Sequence, residues 1–312
     1  MKSGSRLEQL LARGEFAVTA EMGPPMSADA GVIAKKAELL RGTADAFNIT
    51  DNQTAIVRMS SMAASTLCLK AGLEPIMQMV CRDRNRIAMQ SDILGAVALG
   101  IRNCLCLSGD HQSFGRAGKL LGHPGAKNVY DLDSINQIRM LRQLRDEKKF
   151  LGGDPVKTDV PLFIGAAWTP LGDPVEFRVI RLGKKIEAGA DFVQTQCVFD
   201  VERFADAMKK ARAGGLHEKT SILAGVIVPR SAGMLKYMHS SVAGVSVPEK
   251  LIRRMSEAAD QKAEGVAIAS ELIGEIRRIE GVRGVHVQPV EWESIMRTVA
   301  EKAGLLPRPE VK

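Results

Sequence analysis

Aromatic residues are scarce in this 312-residue chain: two Trp, two Tyr and nine Phe, 4% in all. The basic residues are spread over segments that also carry acids. Together these features argue against a nucleic-acid surface, which needs a dense basic stripe and exposed rings for stacking. No apolar stretch approaches the length that spans a bilayer. The opening Met1-Lys2-Ser3-Gly4-Ser5 lacks the apolar core of a signal peptide. The five cysteines are an odd number with no CxxC, and the five histidines show no HxxxH. Neither a disulfide framework nor a metal set is expected, and reduced thiols in a cytoplasm are. No Walker or GxGxxG pattern follows an apolar run, so no phosphate loop is predicted. No Pro/Ser/Gly-rich linker or shift in composition divides the chain, which predicts one domain over residues 1–312.

What the chain does have is a repeat of short apolar runs, each entered from a helix end through glycine or small residues and a polar residue, and stopped by a polar or acidic residue. The clearest stop is Leu105-Cys106-Leu107-Ser108-Gly109-Asp110-His111, entered through Leu99-Gly100. Residues 39–49, 188–196 and 280–288 follow the same plan. Helix-to-buried-strand units in series mark alternating β and α elements around a parallel sheet. Strands are predicted at 16–21, 46–50, 75–81, 101–108, 161–167, 192–197, 221–228 and 284–287. Between them Val175, Val179, Leu182 and Ile186 recur at helical spacing, as do Val201, Phe204 and Met208. Asp173-Pro174 reads as an N-cap with proline in the first turn. Eight strands with helical partners favour an α/β fold of the single (β/α)8 TIM-barrel kind over an open sheet. Residues 108–133 form an unusually long loop, and 246–279 a helical insertion before the last strand.

In such a barrel chemistry gathers at the C-terminal strand ends, so the polar stops are the candidate site. Glu21 stops the first strand just before Gly23-Pro24-Pro25. Desolvation there can raise a carboxyl's pKa enough for general acid work, although a surface glutamate capping a loop gives the same pattern. Asp110 stops the fourth strand behind Ser108-Gly109, where glycine allows close approach to the backbone; an Asx-turn is the alternative. Gln196 stops the sixth strand, and a buried glutamine needs a ligand or backbone partner. Thr50 and Gln78 add polar groups on the same rim. Lys185 precedes the sixth strand on what spacing alone reads as a solvated helical face. Cys104 and Cys106 share a strand face and read as core packing. The excess of 43 Lys+Arg over 36 Asp+Glu suits an anionic ligand.

Residues 18–25, the strand end 107–110, and Ala188-Gly189-Ala190-Asp191-Phe192-Val193-Gln194-Thr195-Gln196-Cys197-Val198-Phe199-Asp200 together resemble methylenetetrahydrofolate reductase. In that family an acidic residue precedes a double proline, Gly-Asp ends the fourth strand, and a run close to AGA-x₄-TQ-x₂-FD covers the sixth. The resemblance spans about residues 16–306. It implies a TIM barrel with FAD at its C-terminal face and a cytoplasmic enzyme of one-carbon metabolism. Hydride passes through the flavin to 5,10-methylenetetrahydrofolate, giving 5-methyltetrahydrofolate, or in reverse. By position it implies Glu21 as the acid that opens the substrate ring. Asp110 would lie beside flavin and pterin, and Gln196 at the folate. Thr50, Gly109, Tyr130 and Lys185 match FAD contacts. Gln78, Ser108 and Ala166 fall on the flavin side where this chain departs from the family: Gln78 for a histidine, Ser108 for an arginine, and residues 166–170 for a tyrosine–proline–glutamate run. Gln288 and Trp292 replace a tyrosine and an arginine of NADH-dependent bacterial members. That pattern resembles the short reductases of acetogens and related anaerobes. It leaves the electron donor open between NADH, a partner subunit and a ferredoxin-type carrier, and it points to an oligomer or hetero-complex. Two rival readings remain: a flavin-carrying electron-transfer subunit, and a pterin-dependent methyltransferase barrel without flavin.

Overall fold

The computed structural model describes residues 1–311 apart from 114, 117, 118 and 121; of 115, 116, 119 and 120 it describes the backbone alone. Helix α1 (Arg6–Ala12) leads into β1 (Ala17–Met22), followed by α2 (Ala30–Leu40), β2 (Ala46–Ile49), α3 (Ser61–Lys70), β3 (Pro75–Val80), α4 (Arg86–Ala98) and β4 (Asn103–Leu107). A hairpin of β5 (Gly115–Arg116) and β6 (Lys119–Leu120) sits in the long loop before α5 (Ser134–Arg142). The unit resumes with β7 (Phe163–Trp168), α6 (Val175–Ala188), β8 (Phe192–Cys197), α7 (Val201–Ala213), the single turn α8 (Leu216–Lys219) and β9 (Ser221–Ile227). Helices α9 (Ala232–Ser241), α10 (Glu249–Glu257) and α11 (Gln261–Ile276) precede β10 (Val282–Gln288) and α12 (Met296–Lys302).

Apart from the hairpin, the strands run parallel in the order β1-β10-β9-β8-β7-β4-β3-β2, and β2 pairs back onto β1 to close a (β/α)8 barrel. Each predicted strand is present, its ends within two residues of the expected ones. One helix start differs. Asp173 is exposed and lies outside α6, whose N-cap is Pro174 in an extended conformation. Pro174 is itself extended at ψ 139°, so the helix begins one residue later and Asp173 lies outside the capping position. Among the described residues no helix is long and apolar enough to cross a membrane.

Strand alternation sorts the side chains into two cores. Val18, Ala20 and Met22 of β1, with Cys104 and Cys106 of β4, face the helices in the larger one. The barrel interior is built in layers. At the bottom, Ala17, Ala46, Ile76, Leu105, Phe163, Phe192 and Leu223 pack against Leu7 and Leu11 of α1, which plugs that end. The Phe163 and Phe192 rings stack with centroids 5.1 Å apart. Gly165 makes this possible, because a Cβ there would lie 2.3 Å from the Phe192 ring.

Above this floor lies a polar layer. Asn48 Nδ2 donates to Gln194 Oε1 at 2.6 Å, and Gln194 Nε2 donates to Thr19 Oγ1 and Asn48 Oδ1, both at 3.0 Å. Thr19 Oγ1 meets His286 Nδ1 at 3.0 Å. Burial pushes the His286 pKa down to about 3, so the ring is neutral. These buried polar groups satisfy one another, which removes Gln194 as a ligand group. The next inward positions along the strands are Glu21, Thr50, Gln78, Gln196 and Gln288, and they form the floor of the barrel mouth.

Candidate active site

Two cavities open at the mouth and share Gln53 and Asp110 as their common edge. The larger, about 1170 Å³, is lined by Glu21, Gln196, Cys197 and Gln288 from strand ends and by α9 on its far wall. The smaller, about 360 Å³, is lined by Gln78, Ser108 and Gly109 together with Arg82, Arg178, Arg181 and Lys185. The larger cavity therefore sets the Glu21 carboxyl among Lys36, Arg58 and Arg230, and the smaller presents a group of cations.

On the larger side Glu21 is half-buried. Its pKa is pushed up to about 7, first by desolvation and then by the like charge of Glu293, against the pull of Lys36 and Arg58. A carboxyl in that range can hold a proton at neutral pH and release it to a substrate. Gln196 accepts from Cys197 N at 3.0 Å through Oε1, which leaves its amide N–H groups for a ligand. The Cys197 thiol donates to Gln288 Oε1 at 2.8 Å, and burial pushes its pKa up to about 12, so it is no nucleophile. Trp292 is only partly buried and packs against the outer core rather than lining the cavity.

Asp110 is exposed at the shared edge, one oxygen accepting from Thr54 N at 3.0 Å. That donor belongs to a turn in which Asn52, Thr54 and Ala55 all have positive φ, at 45°, 56° and 58°. Non-glycine residues held there cost of order 1–3 kcal/mol each and cluster at ligand sites. Arg82 ties the turn down, donating to Asn52 O at 3.1 Å and Asp110 O at 3.0 Å. Thr50 is buried behind it and donates to Gln53 Oε1 at 2.6 Å.

On the smaller side Gly109 has φ +88°, and a Cβ would lie 3.1 Å from Val80 Cβ and 3.2 Å from Arg82 Cβ. Glycine is thus required here by its backbone conformation and by the close packing of Val80 and Arg82, and Tyr130 OH donates to Gly109 O at 3.3 Å. Ser108 is exposed, with Oγ 3.3 Å from Ser134 Oγ. Gln78 is buried at the cavity floor with no hydrogen-bond partner among the described residues. Lys185 does not lie on a solvated face: it lines the cavity, and its Nζ donates to Ala167 O. Desolvation, then the nearby Arg181, lowers its pKa to about 8. Arg178 Nε is buried without a partner among the described residues.

Ala166 is the one candidate that the strand turns away from the mouth. Phe163, Gly165 and Ala167 follow the inward face of β7, so Ala166 is fully buried against the helices and Ala167 lines the cavity. Part of the 108–133 loop lies outside the described residues. Arg82, Lys36, Arg58 and Glu293 escaped the sequence reading. Arg82 carried a signal, since it is itself the polar stop after β3. Lys36 and Glu293 carried none, because they meet only when β1 closes on β10.

Residues 6–304 match the sequence model of the family described as methylenetetrahydrofolate reductase. The chain is 25% identical over 242 residues to methylenetetrahydrofolate reductase 1 of Schizosaccharomyces pombe, covering 75% of this chain and 36% of that one. It is 28% identical over 169 residues to a probable methylenetetrahydrofolate reductase (NADPH) of Caenorhabditis elegans, covering 53% and 22%. It thus spans about a third or less of the length of these relatives. Among solved structures, a Clostridium thermocellum protein described as binding two copies of 5-methyl-5,6,7,8-tetrahydrofolic acid shares the fold. Its TM-score is 0.66 at 15% identity, over 96% of this chain and 98% of that one.

Proposed function

The chain belongs to the methylenetetrahydrofolate reductase family, and on that premise we propose that it interconverts 5,10-methylenetetrahydrofolate and 5-methyltetrahydrofolate with FAD as hydride carrier. The observation that carries this reading is Glu21, whose pKa near 7 sits on a cavity joined through Asp110 to a cation-lined one. The folate is assigned to the larger cavity. There Glu21 gives its proton to the bridging nitrogen of the substrate, the ring C–N bond breaks, and the one-carbon unit becomes an iminium that can accept hydride. Gln196 donates from its amide to the pterin edge, and Asp110 accepts from it with the oxygen that Thr54 leaves available. The structural neighbour described as binding 5-methyl-5,6,7,8-tetrahydrofolic acid supports a folate as the ligand.

The smaller cavity fits FAD by its donor set. Arg178, whose Nε has no partner, Arg181 and Lys185 offer cationic donors suited to a diphosphate. Gln78, Ser108 and Gly109 line the side next to Asp110, with Tyr130 bonded to Gly109 O and Thr50 to Gln53 behind it. When bound, FAD supplies and accepts the hydride. The donor that reduces it is assigned to a partner subunit or low-potential carrier rather than NADH alone. Gln288 is engaged by Cys197 and Trp292 by the core, so neither offers a nicotinamide face. The barrel over 1–312 acts as one domain in a cytoplasmic setting.

Rapid anaerobic mixing tests this reading. FAD-loaded protein reduced with dithionite should reoxidise in a single exponential on mixing with methylenetetrahydrofolate, while NADH alone should bleach the oxidised form slowly. A chain that takes up no flavin points to the methyltransferase barrel. Flavin without folate-dependent reoxidation points to an electron-transfer subunit.

A further inference from the structure

Glu293 and Lys36 stand together on the cavity wall beside Glu21. Lys36 comes from α2, and its Nζ lies 2.5 Å from Glu293 Oε1 and donates to Gly23 O at 2.9 Å. Glu293 is buried and starts a single turn of 3-10 helix just past β10. It reaches this wall because the chain reverses there, with Glu291 at φ 50° and Trp292 N donating to Pro289 O at 2.7 Å. Gly23 lies two residues beyond Glu21, so the ammonium is fixed on the backbone that carries the acid. An unengaged lysine on that wall would draw Glu21 into an ion pair and hold it as carboxylate. Here the ammonium is engaged by a different carboxylate.

We propose that Glu293 is a positioning residue that sequesters Lys36 and so keeps the Glu21 carboxyl in its protonated, proton-donating form. The consequence for catalysis rests on Glu21 being the acid; the charge arrangement does not. Of the cations that act on Glu21, Lys36 is taken up by Glu293 and Arg58 is tied to Pro24 O, so the carboxyl without the lysine takes the proton. The charges acting on Glu21 are Glu293, which raises its pKa, and Lys36 and Arg58, which lower it. Cys197 is a neutral thiol, and His286 in the layer beneath is neutral. Asp110, Arg230, Tyr237 and Glu291 line the same cavity. Arg58 donates to Pro24 O at 3.2 Å, which ties it to the other side of the Gly-Pro-Pro turn.

The test titrates Glu21 directly, by the infrared band of its protonated carboxyl in FAD-loaded protein without folate, assigned by its loss in Glu21→Gln. Glu293→Gln removes a like charge and releases Lys36, so the midpoint should move about one unit or more to the acid side. Lys36→Met should not move it acidward. The double variant Lys36→Met/Glu293→Gln should return it toward the wild-type value. The folate half-reaction should follow, with Glu293→Gln losing about tenfold at pH 8 and little at pH 5.5. An unmoved midpoint in Glu293→Gln overturns the proposal, as does an acid shift that the double variant fails to reverse. If the midpoints move as expected but the folate half-reaction ignores them, the positioning holds and the role of Glu21 as the acid fails.

Discussion

Asp191 at the closed end of the barrel and Glu21 at its mouth are both carboxyls next to a barrel strand, yet their surroundings differ in kind. Asp191 accepts from Arg145 Nη1 and Lys2 Nζ, each at 2.5 Å, and from Ile164 N at 2.7 Å. Asp45, before β2, likewise accepts from Val18 N at 2.8 Å and pairs with Arg308 at 2.6 Å. Glu74, before β3, accepts from Arg6 N at 2.6 Å and Leu7 N at 2.9 Å, fixing the plug helix. At the mouth the order is reversed. Burial and a like charge raise Glu21 to about 7, Lys185 is lowered to about 8, and Arg178 Nε has no partner among the described residues. Paired charge at the closed end secures the fold, while at the mouth paired charges such as Lys36–Glu293 stand beside polar groups left available to ligands.

Substitutions at the two ends should therefore separate chemistry from stability. The largest effect belongs to Glu21→Gln, which keeps shape and hydrogen bonding but removes the proton. Reoxidation of the reduced protein by methylenetetrahydrofolate should slow by about 10²–10⁴-fold, with flavin content and melting temperature close to wild type. Next is Asp191→Asn at the closed end, which leaves the buried Arg145 guanidinium with only the more exposed Asp146 as a carboxylate partner. Breaking one side of a buried pair costs about 3–5 kcal/mol, read as a lower urea midpoint with the folate reaction of the folded fraction unchanged. The smallest is Lys185→Ala. Loss of one charge-assisted bond should weaken FAD binding by roughly ten- to a hundredfold without altering the fold, measured by fluorescence titration of the apoprotein. Unchanged FAD affinity would return Lys185 to a merely packed helix residue.

Both ends were legible to different degrees. The plan of a polar residue, an apolar run and a polar stop locates the strands, because each run is buried on both faces of a parallel sheet. The polar residue before the run is the closed-end carboxylate, as with Asp45, Glu74 and Asp191, and the stop after it is the mouth, as with Glu21 and Asp110. Strand parity was readable too, and it is what moves the cavity-lining role from Ala166 to Ala167. Lys185 was not readable, since only the packing of α6 on β7 turns its long side chain toward Ala167 O. Nor was the Lys36–Glu293 pair, whose partners are far apart in sequence and meet through barrel closure. Local pattern marks where the chain stops, but long-range closure decides which charges face one another.

The central claim is that Glu21 delivers a proton, and the pH dependence of single-turnover reoxidation by methylenetetrahydrofolate tests it most directly. In wild type the rate constant should be level at acid pH and fall about tenfold per unit above an inflection near the Glu21 pKa of about 7. In Glu21→Gln the reaction should be slow and that limb absent. A wild-type rate that stays level through the alkaline range, or the same limb retained in Glu21→Gln, would contradict the account.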